Sequence, residues 1–379
     1  MNTSLTVASL FSGIGGLDLG FQLAGFNSIF ATDIMPAAVD SYVPNFGRPA
    51  VLCDLNALPL DHIPNADVII GGPPCQSFSL VGQRRPDDDR GQLVFRFLEV
   101  IRYHHPRAFV MENVPGLAAS RLDGVRLTEV LAREFTKLGY AVSVMKLDAS
   151  DYMVPQRRRR IFLVGSLVGA VPVPDPSAFA KACYGIDLAK YDNGAEAAIG
   201  DLGPPVAKGK LAHYSRPAAS DFARIMRTLN GNTVSLHEIP RMSETDKLLL
   251  SFIPPGGNFQ DVPDEYATQR ILNFKKTGGR TTTYGRLHPE RPSYTVNTYF
   301  RRPNVGSNFH HSEPRLITAR EAMRLQSLPD YFSTVHSSQD ARNTLIGNAV
   351  PPLLAQAVAW QLSRVLTGTD CAAHQAEMF

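Results

Sequence analysis

Six short apolar runs interleaved with four amphipathic stretches occupy the first 165 residues and restrict the fold more than any other feature. Leu5–Leu10, Ser28–Thr32, Asp67–Ile70, Arg107–Met111, Ala141–Lys146 and Arg160–Val164 read as strands. Gly16–Ala24, Ala37–Tyr42, Leu93–Tyr103 and Arg126–Leu138 read as helices. Strands and helices at this spacing build an α/β domain around a mainly parallel sheet, with ligand-binding loops at the strands' C-terminal ends. After Gly165 the pattern dissolves. Val171–Pro176 is proline-rich, Gly203-Pro204-Pro205 breaks the chain, and Gly, Asn, Thr and Arg accumulate from Gly256 to Ser307. The α/β domain is expected over 1–170, completed by 338–379, with a smaller irregular domain and hinge at 171–337. Regular structure returns in a helix over Ala319–Leu328, opened by Thr318 as N-cap with Glu321 at the capping-box position. Leu353–Leu366 forms a last helix after Pro351-Pro352.

Composition removes several classes. With 379 residues, 44% hydrophobic and 19% charged, the chain can bury a substantial core. It has no apolar run long enough to span a membrane, and its first basic residue is Arg48, so no signal peptide is expected. Cys53, Cys75, Cys183 and Cys371 are scattered, without a C-x-x-C pair. Neither a disulfide framework nor a metal site is expected, in keeping with a reducing cytoplasm. Charge is unevenly placed: Gly200 to Arg315 holds 16 Lys and Arg against 10 Asp and Glu, although the whole chain carries only +3. A basic segment on a slightly acidic body suggests a polyanion on one side, or simply a solvated surface.

Two glycine-rich turns carry the chemistry. Leu5–Leu10 runs into Phe11-Ser12-Gly13-Ile14-Gly15-Gly16 and then a helix, so backbone N–H groups can approach a ligand. The dinucleotide fingerprint needs glycine at position 18, where this chain has Asp18, and pyrophosphate is therefore disfavoured. Asp33 closes the second strand, where a carboxylate accepts hydrogen bonds from ribose hydroxyls. Asp54 is expected to end the third. A ribose-binding acid without a phosphate turn suits an adenosyl cofactor lacking phosphates, S-adenosylmethionine. The second turn is Gly71-Gly72-Pro73-Pro74-Cys75-Gln76-Ser77-Phe78-Ser79, which follows the apolar run Ala66–Ile70. On this stretch alone Cys75 is either a small buried residue or a nucleophile held on a rigid turn.

Together with four further motifs in order, these turns closely resemble the DNA (cytosine-5-)methyltransferases. The four are Glu112-Asn113-Val114, Gln156 to Ile161 (Q-R-R-R-R-I), Arg320-Glu321 through Asp330, and Gly347 to Pro352 (G-N-A-V-P-P). The match leaves out roughly 170 to 280, and Ser327 and Leu328 stand where Gly and an aromatic residue are common. The resemblance implies a Rossmann-like methyltransferase domain with a smaller target-recognition domain across a DNA-holding cleft. It implies S-adenosylmethionine bound by Phe11, Gly13, Gly15, Gly16, Asp33, Ile34, Asp54, Leu55, Pro74, Leu93, Asn348 and Val350. Cys75 would be the nucleophile, Glu112 the acid at cytosine N3, Arg160 a contact to O2 and Arg158 a contact to a nearby phosphate. Gln76 and Ser79 would touch DNA beside the target.

Each role has a chemical reason. Cytosine C5 is a poor nucleophile, and a thiolate adding at C6 makes it enamine-like. Within a duplex neither face of C5 and C6 is reachable, so the base must leave the stack. The segment Pro174 to Arg315 is expected to read the target sequence, through Thr281–Arg286 and Thr295–Arg302 and especially Arg286, Asn297, Arg301 and Arg302. Alternatively these loops only fold the small domain. The expected partner is double-stranded DNA, and the expected protein is a monomeric, nucleoid-associated bacterial enzyme with or without a separate restriction endonuclease. The alternative activity is tRNA cytosine-5 methylation, disfavoured because Cys183 is followed by Tyr184-Gly185 rather than by Phe-Thr.

Overall fold

The structure is a computed structural model and describes residues 4–74, 89–335 and 338–368. In chain order it begins β1 (Thr6–Leu10), α1 (Gly16–Leu23), β2 (Asn27–Asp33), α2 (Pro36–Phe46), β3 (Val51–Leu52), β4 (Val68–Gly71), α3 (Asp89–His104) and β5 (Ala108–Asn113). It continues with α4 (Gly116–Ala119), β6 (Arg121–Leu122), β7 (Val125–Arg126), α5 (Leu127–Lys137), β8 (Ala141–Asp148), β9 (Arg159–Ser166) and α6 (Pro176–Tyr184). Shorter elements follow: α7 (Ala195–Ile199), β10 (Ala212–His213), α8 (Asp221–Arg227), β11 (Thr233–Val234), α9 (Glu244–Ser251) and α10 (Gln269–Thr277). The last three helices are α11 (Ala319–Leu325), α12 (Gln339–Asn348) and α13 (Pro352–Thr367). The chain divides into two compact units. The first comprises Met1–Tyr152, Arg159–Gly185 and the chain from Pro352; the second comprises Met153–Arg158 and Ile186–Pro351. Among the described residues no helix is long and apolar enough to cross a membrane.

In the first unit a seven-stranded sheet has the order β3-β2-β1-β4-β5-β9-β8. The strands from β3 to β5 are parallel to one another, whereas β9 is antiparallel to both neighbours. The sheet is thus mainly parallel, as expected, with a reversal at β9. No crossover helix separates β8 from β9, so the two pair antiparallel. The central strands β1, β4 and β5 are buried along almost their whole length, which is the pattern of a sheet covered on both faces. Leu10, Ile69, Phe97, Phe109, Met111 and Phe135 belong to one core cluster, with the rings of Phe109 and Phe135 at 4.0 Å. Helix α1 packs on α13 through Gly20. A Cβ there would stand 2.6 Å from Gln356 N and 2.7 Å from Pro352 O, so a larger residue would force the helices apart.

Two expected boundaries change. Strand β3 is only two residues long, so Asp54 lies in the loop beyond it rather than at its end. Helix α11 stops at Leu325 instead of Leu328, because the chain turns back: Ser327 N bonds to Arg324 O at 2.8 Å and Leu328 N to Met323 O at 2.9 Å. The turn puts Ser327 at φ 59°, left-handed backbone that glycine adopts at less cost. The capping box of Thr318 and Glu321 forms as read.

The second unit has an apolar cluster of Leu249, Leu250, Ile253, Phe259, Phe309 and Leu316, but its centre is also ionic. The fully buried Arg324 guanidinium donates to Asp201 Oδ1 at 2.7 Å, to Asp330 Oδ1 at 2.8 Å and Oδ2 at 2.6 Å, and to Ala198 O at 2.9 Å. Asp330 Oδ2 also accepts from Tyr214 Oη at 2.6 Å. One turn earlier, Arg320 spends its donors on Ser235 O, Pro329 O and Phe332 O. Buried charges survive only with such complete pairing.

A second ionic cluster makes this unit acid-sensitive. Burial pushes Glu321 up, but the hydrogen bonds and charge of Arg315 more than offset it and hold the carboxyl down at about 2, against an ordinary 4.5. Burial lowers His310 from 6.5 to about 4 and also lowers His237 and His311. Every one of these groups binds protons more tightly when unfolded, so its contribution is complete above the unfolded pKa and drains as pH falls toward the folded one. Stability in urea should therefore hold above pH 6.5 and fall on acidification to pH 4 by roughly 3 kcal/mol from His310 alone. Glu321 should extend the loss from pH 4.5 toward 2. A stability that rises between pH 6.5 and 4 would contradict this account.

Candidate active site

Sheet register assembles the charged pair at the strand edge. Gly71 of β4 stands opposite Met111 of β5, so Gly72 comes beside Glu112. A Cβ on Gly72 would sit 3.0 Å from Glu112 Oε2, which leaves little room for any side chain there. On the other side of β5, Glu112 pairs with Phe162 of β9. Side chains alternate along a strand, so Arg160, two residues before Phe162, shares the face of Glu112. Arg160 Nε donates to Glu112 Oε1 at 2.7 Å, and both side chains are nearly buried. Because β9 is reversed, its first residues reach the edge where β4 and β5 end. Arg160 also donates to Arg159 O at 2.7 Å.

Asn113 follows and faces the opposite way. Its Nδ2 donates to Pro73 O at 2.8 Å, and its Oδ1 accepts from Val114 N at 2.9 Å. It therefore anchors the start of the Gly-Pro-Pro turn. Sequence reasoning did not single out Asn113, although its place in Glu112-Asn113-Val114 was the available signal. Pro74, half-buried, is the last described residue of that turn. Cys75, Gln76 and Ser79 lie outside the described residues.

The other glycine turn leaves β1. Phe11, Gly13 and Gly15 all have positive φ, at 56°, 55° and 87°, and Gly16 begins α1. Phe11 packs against the core cluster that contains Leu55. Asp33 Oδ2 accepts from Gly13 N and its Oδ1 from Met35 N, both at 2.8 Å, so it ties the turn to the end of β2. Burial pushes the Asp33 pKa up, while these backbone N–H groups pull it back down. Each of its oxygens keeps a second lone pair. Ile34 is exposed beside it, Asp54 is exposed and caps Asn56 N, Leu55 is buried, and Leu93 is half-buried on α3.

This turn fits an adenosyl group. A Cβ on Gly13 would meet nothing within 4 Å, and the buried Ser12 Oγ has no hydrogen-bond partner among the described residues. Neither feature serves the core. Among the described residues no group of His, Cys, Asp and Glu could hold a metal ion.

The remaining expected site residues belong to the second unit. Arg158 is buried, and its Nη1 and Nη2 donate to Val296 O at 2.9 Å and Gly347 O at 2.8 Å. The resemblance implies a phosphate contact for it, but the guanidinium ties two chain segments together. Gln156, fully buried, does the same between Val296 N and Leu325 O. Asn348 is exposed at the end of α12 and Val350 is buried. Arg286 donates to the carbonyls of Ile253, His310 and Ser312, so it builds its loop. Asn297 braces a turn through Val305 O and Tyr299 N. Arg301 pairs with Asp340 at 2.5 Å, and Arg302 lies over the Tyr299 ring at 5.1 Å.

Residues 5–364 match the model of the C-5 cytosine-specific DNA methylase family. Type II methyltransferase M1.HphI of Haemophilus parahaemolyticus is 33% identical, over 94% of this chain and 86% of that one. Type II methyltransferase M.AgeI of Thalassovita gelatinovora is 32% identical, over 92% and 97% respectively. A solved E. coli prophage protein described as a DNA modification methyltransferase shares 25% identity and a TM-score of 0.67, over 96% of this chain and 99% of that one. Fold and relatives thus define a methyltransferase of the Rossmann-like α/β class. The chain belongs to the C-5 cytosine-specific DNA methylase family, whose substrate is DNA.

The Asn113 anchor can be tested directly. Asn113→Leu keeps the branching at Cγ but leaves Pro73 O unpaired, and should cost about 1–3 kcal/mol in urea denaturation. Methyl transfer to DNA should fall as well, because the turn that leads to Cys75 loses its tether. Unchanged stability would show that the bond does not hold the turn.

Proposed function

We propose that the protein transfers a methyl group from S-adenosylmethionine to C5 of a flipped-out cytosine in double-stranded DNA, with Cys75 as covalent nucleophile. The observation that carries this is the row Gly72, Glu112 and Arg160, which sets a nearly buried acid beside the turn leading to Cys75. The Cys75 thiolate adds to C6, the C5–C6 double bond opens, and its electron pair spreads toward C5, N3 and O2. Glu112 holds a proton at N3 as that charge develops, and Arg160 fixes the Glu112 carboxyl while reaching O2. When bound, S-adenosylmethionine supplies an electrophilic methyl group. Once C5 carries the methyl, solvent water takes the C5 proton, the freed electron pair reforms the double bond as the S–C6 bond breaks to return the thiolate, and N3 gives its proton back to Glu112. Phe11, Gly13, Asp33 and Ser12 Oγ would hold the adenosyl group, with Asp33 accepting from the ribose. We assign sequence reading to Pro174–Arg315, where Arg and Asn can pair with base edges. The Type II relatives support a role in restriction–modification.

Cys75→Ser should abolish methyl transfer while cofactor and DNA still bind. DNA carrying 5-fluorocytosine at the target should trap the wild-type protein covalently, since fluorine cannot leave C5 as a proton does. Full activity in the serine variant would remove Cys75 from the mechanism.

Asp33→Ala should weaken S-adenosylmethionine binding by about 1–3 kcal/mol in calorimetry. Circular dichroism should show the fold unchanged. Equal affinity would move the ribose contact elsewhere, with Asp54 the next candidate.

A further inference from the structure

The second unit holds a cavity of about 320 Å³ whose lining includes two of the expected DNA contacts, Arg301 and Arg302. Arg241, Arg301, Arg302 and Arg342 line it, and Glu238 is the one carboxylate among the lining residues. Four arginines and one acid line the cavity, and the arginines' internal pairing is incomplete. Arg342 is mostly buried and reaches Glu238 only at 3.5 Å, and its Nε has no hydrogen-bond partner among the described residues. Arg241 is exposed and has no ion pair among the described residues. Among the described residues the Arg302 guanidinium meets the face of Tyr299 alone, whereas Arg301 is held by Asp340 and Gln339. Buried polar groups in folded proteins are almost always satisfied, so the orphaned Nε shows that the pairing of the Arg342 guanidinium is incomplete. The lining also includes Ile239 and Pro240, which add an apolar wall of the kind a sugar ring covers.

We propose that this cavity binds a phosphodiester of the DNA backbone, with Arg342 and Arg241 as its principal donors and the deoxyribose against Ile239 and Pro240. Guanidinium groups grip phosphate oxygens through paired N–H donors, and a contact to the backbone carries no sequence information. The site therefore fixes the register of the duplex while other residues read bases. It rests on the reading of this protein as a DNA methyltransferase and adds specific phosphate contacts to it.

The test measures binding to two duplexes, one containing the methylated sequence and one lacking it, over a range of salt concentrations. Arg241→Gln, at an exposed side chain, should leave folding intact. It should weaken binding to both duplexes by the same factor and flatten the log–log salt slope by about 0.9, the share of a single phosphate. Arg342→Gln should do the same, and Glu238→Gln, which removes the opposing charge, should tighten both. Loss of a merely structural contact would not flatten the slope by one phosphate's share on both duplexes. An unchanged slope in Arg241→Gln and Arg342→Gln, with wild-type protein still methylating its DNA, overturns the inference and leaves the enzymatic reading standing. Wild-type protein that methylates no DNA overturns that reading instead. Inorganic phosphate is the second probe. Saturable thermal stabilisation by phosphate, abolished in Arg342→Gln while the DNA slope stays unchanged, would assign the cavity to a free anion and overturn the backbone contact.

Discussion

The antiparallel pairing of β9 with β5 is the constraint on which the candidate site depends. With Glu112 opposite Phe162, alternation alone puts Arg160 on the face of Glu112, and the two meet at 2.7 Å. A parallel β9 would deliver the end of the strand, Gly165-Ser166, to that edge and leave the arginines at the other. The register is in turn held by Phe109, whose ring packs where Gly165 has no side chain. A site of three residues is thus specified by hydrogen bonds along an entire sheet rather than by local contacts. Slippage by one residue would turn Arg160 to the opposite face.

The same reversal explains what was legible in the sequence. Strand positions and types could be read because apolar runs of four to eight residues are short-range signals, and Glu112 was correctly placed at a strand end. The direction of β9 was not read, although the short connection from β8, with no room for a crossover helix, was the available signal. Asp33 shows a different limit. Its position after β2 was readable, but a carboxylate that ties Gly13 N and Met35 N together cannot be inferred from spacing. Such a carboxylate shapes the turn before any ligand arrives.

Arginine is where sequence reading reached least. Charge counting over Gly200–Arg315 gives an excess of positive groups, and the natural inference is a surface for a polyanion. Many of the second unit's arginines are instead internal. Within that segment Arg286 donates to backbone carbonyls, Arg227 pairs with the buried Asp201 and Arg315 donates to the buried Glu321. A unit with short helices and two-residue strands leaves many carbonyls unpaired, and a guanidinium with five donors can satisfy several at once. The excess measures the irregularity of the backbone as much as an affinity for anions.

This sets what distinguishes a structural arginine from a binding one. Arg324 and Arg342 are both largely withdrawn from water, yet Arg324 has acceptors for all three nitrogens and Arg342 has a long contact and an orphaned Nε. Burying a guanidinium costs several kcal/mol unless its donors are matched, so full matching identifies a group that folding itself requires. Incomplete matching beside an open cavity, as at Arg342, is what the proposed phosphate contact uses. By that criterion Arg286, with three carbonyls, belongs with the scaffold, although its sequence context made it a natural candidate for base recognition. Exposed arginines such as Arg241 and Arg302 keep donors that the fold does not use, and contacts to DNA are available to them without dismantling the unit that presents them.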